Sequence, residues 1–122
     1  MNNRLEVYHG ANGDNILSII RDGVMRPDSN REIYFSATNE DVFQHGGDIK
    51  RNATFGFKAR ITLPAGATQR RESRQGNPRA VIVTSTLPVP TEILELYVRL
   101  PRASNYETIH GVQAIKARLG GH

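Results

Sequence analysis

The feature that most constrains the fold is a run of strict alternation in the middle of the chain, from Ala53 to Leu63. Every second residue is apolar: Phe55, Phe57, Ala59, Ile61 and Leu63. The residues between them include Lys58, Arg60 and Thr62. Successive side chains of a strand point to opposite faces of a sheet, so this pattern predicts a long, half-buried strand.

A strand, a helix and a second strand are predicted before this run. Residues 5 to 9 form an apolar strand that ends at the breaker sequence Gly-Ala-Asn-Gly of residues 10–13. Asp14 is the expected N-cap of a helix that ends at Gly23, and its apolar face comprises Ile16, Leu17, Ile20 and Val24. Residues 32 to 36 read Glu-Ile-Tyr-Phe-Ser, which is typical of a strand.

The rest of the chain predicts mostly strands. A short helix is expected around Val42, and strands are expected over residues 80–83 and 93–100. Residues 66–78 are polar and rich in arginine, which favours a long exposed loop. Residues 108–119 fit a short helix or a last strand. The pattern predicts an α+β fold with short helices early and antiparallel strands later.

Composition limits the kinds of site that the chain can carry. With 122 residues it is long enough for one hydrophobic core, so residues 1–122 are expected to form a single domain. The absence of cysteine excludes disulfides, thiol nucleophiles and zinc–thiolate sites. The four histidines, His9, His45, His110 and His122, lack metal-site spacing, so no metal is expected. Neither an apolar signal region nor a membrane-spanning stretch is present in the sequence.

The net charge of +4 is concentrated in one part of the chain. Between Lys58 and Arg79, Glu72 is the single acid. A local arginine cluster is either a solvated loop or a surface that approaches phosphate groups. The candidate acceptor-binding residues in this cluster are Arg70, Arg71, Arg74 and Arg79.

Two short sequences resemble a known enzyme family. Tyr8-His9-Gly10, then a helix, then Ile33-Tyr34-Phe35-Ser36 resemble the nicotinamide-binding core of ADP-ribosyltransferases of the diphtheria toxin and poly(ADP-ribose) polymerase type. That family carries a histidine-tyrosine-glutamate signature. The resemblance covers mainly residues 7–37, with a weaker match over residues 57–93. It implies a compact α+β domain with a split antiparallel sheet, and NAD as co-substrate.

The resemblance also implies roles for individual residues. Tyr34 would stack on the flat, cationic nicotinamide ring, and the bare backbone of Gly10 would approach its carboxamide. His9 would donate to a ribose hydroxyl, and Ser36 would bind the carboxamide. Phe35 lies between Tyr34 and Ser36 in the sequence and is counted with the NAD-binding residues.

The catalytic carboxylate is the point at which this chain departs from the family. Cleavage of the nicotinamide–ribose bond passes through an oxocarbenium-like ribose, which a carboxylate stabilises. The matching position, at the start of an apolar strand that is followed by a proline-containing turn, is occupied by Ala80. Ala80 is then an inactivating replacement of a glutamate, or a natural variant. Otherwise the acid lies elsewhere, at Glu107, Glu92 or Glu95.

The implied function is that of an NAD-dependent mono-ADP-ribosyltransferase. Similar domains are found at the C-terminal ends of bacterial polymorphic toxins such as rearrangement-hotspot proteins. A larger carrier would deliver this domain as a secreted effector that acts in the cytoplasm of a target cell, and an immunity protein would cover its active site. The acceptor would be structured RNA or protein. The alternatives are a non-catalytic module that binds NAD or ADP-ribose, and an enzyme similar to RNA 2′-phosphotransferase.

Overall fold

Alternating residues build an antiparallel sheet that dominates the structure. The structure, a computed structural model, describes residues 3–44, 46–74 and 77–120, without the side chains of residues 40, 41, 44, 74, 77 and 78. Its strands are β1 Arg4–Gly10, β2 Val24–Met25, β3 Glu32–Ser36, β4 Gly47–Asp48, β5 Ala53–Thr62, β6 Thr68–Arg74, β7 Asn77–Thr84, β8 Val89–Arg99 and β9 Glu107–His110. The helices are α1 Gly13–Asp22 and α2 Val112–Gly120, and short 3₁₀ segments span Asn39–Gln44 and Ile49–Arg51.

The strands follow the order β2-β8-β5-β1-β3-β7-β6, with β4 paired to β5 and β9 paired to β8. Every strand pair that the structure describes is antiparallel. The alternating run forms β5, which lies between β1 and β8. The predicted α+β class with an antiparallel sheet is therefore confirmed.

The structure corrects or resolves three of the predictions. The prediction of a long exposed loop over residues 66–78 is wrong, because β6 pairs with β7 along most of its length. As an edge strand, β6 carries polar residues on both faces, so it lacks apolar alternation. Residues 108–119 contain both predicted alternatives, since β9 ends before Gly111 (φ 88°) and α2 follows. The N-cap of α1 is Asn12, whose side chain accepts from Asn15 N–H.

The main core lies between one face of the sheet and the two helices. Its largest fully buried side chains include Phe35 of β3 and Phe57 of β5. Ile16 of α1 and Ile115 of α2 close this core from the other side. Complete burial of one such side chain contributes about 1.5–3 kcal/mol, so this layer is the chief source of stability.

A smaller cluster covers the opposite face of the sheet. Val42 and Phe43 of the first 3₁₀ segment pack there with Tyr97, and Tyr8 lies against them. Val42 lies directly over Gly56, where an added Cβ would be 2.2 Å from its Cγ2. This close approach leaves no room for a side chain at position 56.

A buried carboxylate connects the two helices. Asp48 accepts from Gly13 N–H at 2.8 Å and from the Arg51 guanidinium at 3.1 Å. Arg51 also donates to the carbonyl oxygen of Leu119 at 2.9 Å. Burial raises the pKa of Asp48, but these hydrogen bonds outweigh it and hold the pKa below its ordinary value. The start of α1 is thereby joined to the end of α2.

We expect Gly56→Ala to lower the free energy of unfolding by about 1–3 kcal/mol, because the new methyl group overlaps Val42. Urea denaturation followed by circular dichroism measures this loss. The matched control is Gly47→Ala, where an added Cβ meets nothing within 4 Å. In a Val42→Gly background the overlapping atoms are gone, so Gly56→Ala should cost clearly less. An equal cost in both backgrounds would contradict this packing.

Candidate functional site

The sheet is divided between β1 and β3. All seven residues of β1 pair with β5, and all five residues of β3 pair with β7. Between β1 and β3, by contrast, Tyr8 and Ser36 are the one pair in register. Two ladders of strands therefore meet at a single pair. The two sequences that resemble the transferase family lie on either side of this division.

His9 lies at the point where pairing between the two ladders stops. Its Nδ1 atom is 2.8 Å from the main-chain oxygen of Tyr34. A carbonyl oxygen only accepts hydrogen bonds, so Nδ1 carries the proton and Nε2 of the neutral ring is an acceptor. The ring lies 5.6 Å from those of Phe35 and Phe57, which fix its orientation. The Nδ1 proton is engaged by the Tyr34 carbonyl, so it is not the proton that the resemblance would place on a ribose hydroxyl.

A cavity of about 280 Å³ adjoins His9, between α1 and β2. Ala11, Ile19, Val24 and Met25 supply its apolar lining, and Asn15, Ser18, Asp22 and Arg26 supply its polar lining. Hydrogen bonds from Arg21 and Arg26, at 3.0 and 3.1 Å, hold the pKa of Asp22 below its ordinary value. This cavity offers hydrogen-bonding groups of both kinds to a polar ligand.

The side chains of Tyr34 and Ser36 lie on the other face of the sheet from the His9 ring. Tyr34 is 37% exposed and donates from its hydroxyl to Glu32 Oε1 at 2.6 Å. Ser36 is 5% exposed and is in register with Ala80, which is 1% exposed. The structure therefore brings Tyr34, Ser36 and Ala80 to one face. The His9 ring contacts the main-chain oxygen of Tyr34 and not the Tyr34 ring.

Gly10 and Phe35 have packing roles in this structure. A Cβ on Gly10 would lie 2.1 Å from the carbonyl oxygen of Val42, so this close packing accounts for the glycine at position 10. Phe35 is buried in the main core and packs edge-on against the His9 ring. Phe35 therefore orients His9 from within the core.

The three substitute carboxylates lie far from Ala80. Glu92 and Glu95 are on β8 and Glu107 is on β9, in the other ladder from β7. Four strand spacings separate β8 from β7, a distance of roughly 19 Å. Each of the three also has a local partner: Arg60 for Glu92, Tyr97 for Glu95 and Arg118 for Glu107.

Glu72 is the carboxylate that the structure places next to Ala80. The two residues are directly opposite in the β6–β7 register. From the sequence, Glu72 is only the single acid of a basic stretch, because the pattern of residues 66–78 favours a loop. The pairing of β6 with β7 is the signal that identifies it.

A chain of hydrogen bonds connects Glu72 with Tyr34 across β3, β7 and β6. Arg70 donates to Glu72 Oε2 at 3.0 Å and to Glu32 Oε2 at 2.9 Å. Glu32 in turn accepts from the Tyr34 hydroxyl. Its hydrogen bonds to Glu32 and Glu72 raise the pKa of Arg70. The Arg70 side chain thus joins two carboxylates on this face.

The predicted acceptor-binding arginines have different surroundings. Arg71 and Arg79 line a depression of about 310 Å³, whose other lining residues are Ala37, Glu72, Ser73 and Ala80. Arg70 faces Glu32 and Glu72 instead. Arg74 lies in β6 by its backbone, and its side chain lies outside the described residues. Arg71 and Arg79 therefore form the cationic part of the depression.

Two further properties concern metal ions and membranes. Within residues 3–44, 46–74 and 77–120, no group of three or more histidine, aspartate or glutamate side chains could hold a metal ion. His45 and His122 lie outside the described residues. No helix in the described part of the chain has the length and apolar character needed to cross a membrane.

We expect the neutral His9 ring to carry its proton at Nδ1 and not at Nε2, because Tyr34 supplies only an acceptor. Long-range ¹H–¹⁵N correlation spectra of labelled protein report this tautomer directly. The control is Tyr34→Phe, which keeps the main-chain oxygen and should leave the tautomer unchanged. A protonated Nε2 in the neutral ring would contradict the hydrogen bond.

The hydrogen bond and ring contacts of His9 define the geometry at the division of the sheet. No family model, no curated protein and no solved structure matches the chain.

Proposed function

We propose that this chain is an NAD-dependent mono-ADP-ribosyltransferase domain with a fold of the histidine-tyrosine-glutamate family. The observation that carries the proposal is the hydrogen bond from His9 Nδ1 to the Tyr34 carbonyl, at the division of the sheet. It joins the two sequences on which the family resemblance rests. His9 also lines a cavity with several polar side chains.

NAD would bind along the division of the sheet, and its two halves would contact different sets of side chains. The hydroxyls of the adenosine ribose would reach Nε2 of His9 and the polar lining of the adjoining cavity, which includes Asn15 and Asp22. The nicotinamide ribose would lie on the Tyr34 face. The exposed ring of Tyr34 would stack on the nicotinamide, since aromatic faces attract flat cations. Ser36, on the same face as Tyr34, would hydrogen-bond the carboxamide.

The acceptor would approach from the depression that contains Arg71 and Arg79. Two guanidinium groups favour a phosphate-bearing acceptor such as structured RNA, and they also suit an acidic surface of a protein. In this proposal the domain acts as a bacterial toxin in the cytoplasm of a target cell. An immunity protein that covers the division of the sheet would block NAD entry.

A second candidate function is a non-catalytic module that binds NAD or ADP-ribose. The observation that favours it is the 1% exposed methyl side chain of Ala80 at the position where the family carries its glutamate. The two candidates differ in one product, because an enzyme releases nicotinamide and a binding module does not.

We expect the chain to bind NAD and release nicotinamide, with Tyr34→Ala weakening binding about fivefold or more through the loss of stacking. Tyr34→Phe keeps the ring and should bind within about twofold of the wild type, since only the hydroxyl is lost. Calorimetric titration with NAD and chromatography of released nicotinamide measure the two quantities. Equal affinities of Tyr34→Ala and Tyr34→Phe would overturn the stacking role.

We expect the double variant Arg71→Gln/Arg79→Gln to release nicotinamide at the wild-type rate and to transfer ADP-ribose about tenfold less to a polyanionic acceptor. The assay uses labelled NAD with total RNA and with total protein as separate acceptor pools. Arg102→Gln, outside the depression, is the matched control for loss of positive charge. Unchanged transfer by the double variant would exclude this depression as the acceptor site.

A further inference from the structure

We propose that Glu72 supplies the carboxylate that faces the ribose cation, in place of a side chain at position 80. This inference rests on the proposed transferase function and assigns the residue that its chemistry needs. Glu72 is not among the positions that the sequence suggests for the catalytic acid, which are position 80, Glu92, Glu95 and Glu107.

Strand register is the first support for Glu72. Ser36, Ala80 and Glu72 are directly opposite one another on β3, β7 and β6. Directly opposite residues of an antiparallel pair lie on the same face with Cβ atoms about 4.5–5.5 Å apart. Glu72 thus stands on the face of Tyr34 and Ser36, one strand beyond Ala80.

The small side chain at position 80 is the second support. Ala80 is 1% exposed, whereas the Glu72 side chain opposite it is 38% exposed, so the methyl group lies buried beneath a carboxylate that solvent can reach. A glutamate at position 80 would place two carboxylates directly opposite each other, which destabilises a strand pair. The chain therefore carries one carboxylate at this cross-strand pair.

The third support is the way in which Glu72 is oriented. Arg70 Nε donates to Glu72 Oε2 at 3.0 Å. The other side of the same guanidinium donates to Glu32 at 2.9 Å, so Arg70 is held from two strands. A planar guanidinium that is fixed in this way restricts the carboxylate it contacts. Orientation before the substrate binds is what electrostatic stabilisation of a transition state requires.

The reaction balances with Glu72 as an electrostatic group. The bond between ribose C1′ and the nicotinamide nitrogen breaks, and its electron pair goes to nicotinamide, which leaves as a neutral molecule. The ribose carries the positive charge, and the Glu72 carboxylate stabilises it. A lone pair of the acceptor forms the new bond to C1′, and the acceptor's proton passes to water. No oxidant or reductant is involved.

The test compares Glu72→Gln with the wild type and with Glu92→Gln. The glutamine keeps the size of the side chain and removes its charge, and Glu92 is a paired carboxylate on the other ladder. We expect Glu72→Gln to lower the kcat of nicotinamide release about 100-fold or more. NAD affinity and the melting temperature should change little, and Glu92→Gln should stay within about twofold of the wild type in all three quantities. If Glu72→Gln does not fold, Glu72→Asp replaces it, with a reduced kcat as the expected result.

Three results would overturn the assignment, and they separate it from the proposed function. If the wild type releases nicotinamide and Glu72→Gln does so equally well, Glu72 is not the carboxylate and the transferase function stands. If only Ala80→Glu releases nicotinamide, the scaffold is a transferase that lacks its acid, and Glu72 does not replace it. If neither the wild type nor Ala80→Glu binds NAD, both proposals fall.

Discussion

The interruption of strand pairing between β1 and β3 is the constraint on which the rest of the site depends. A continuous ladder would have used the Tyr34 carbonyl in a main-chain hydrogen bond. Here the pairing is limited to Tyr8 and Ser36, and the His9 side chain donates to that carbonyl. One side chain thereby satisfies a main-chain acceptor, which an open sheet could otherwise leave without a partner. The same contact sets the tautomer and the direction of the imidazole.

Packing on both faces keeps the two ladders together around this opening. On one face, Phe35 and Phe57 come from different ladders and hold the His9 ring from two sides. On the other face, Val42 fits against Gly10 and Gly56, which lie opposite each other on β1 and β5. Both contacts need side chains of a particular size. The opening therefore belongs to a tightly packed region.

Both ladders carry connected sets of charged groups. On the β1–β5–β8 ladder, Lys58 and Arg60 both contact Glu6, and Arg60 also contacts Glu92. On the β3–β7–β6 ladder, Tyr34, Glu32, Arg70 and Glu72 are connected by hydrogen bonds to carboxylates. Exposed ion pairs contribute little to stability. The second set differs in that it joins an exposed tyrosine to a carboxylate that lies opposite Ala80.

Local pattern was enough to predict several elements. The alternation in β5, the bounds of β3 and the glycine that ends α1 follow from side-chain period and backbone freedom, which are properties of neighbouring residues. Gly23 has a φ of 72°, as a helix C-cap glycine should. The placement of His9 and Tyr34 on two strands was predicted in the same way.

The sequence by itself determined the α+β class, these strands and the residue types available for chemistry, because each depends on local periodicity. Only the tertiary structure decided that residues 68–74 form an edge strand and that Glu72 stands opposite Ala80. It also decided that the His9 ring meets Tyr34 at a carbonyl oxygen. These contacts join residues that are distant in the chain or that meet only through the register of two paired strands. Strand register depends on which strands pair, and no local pattern contains that information.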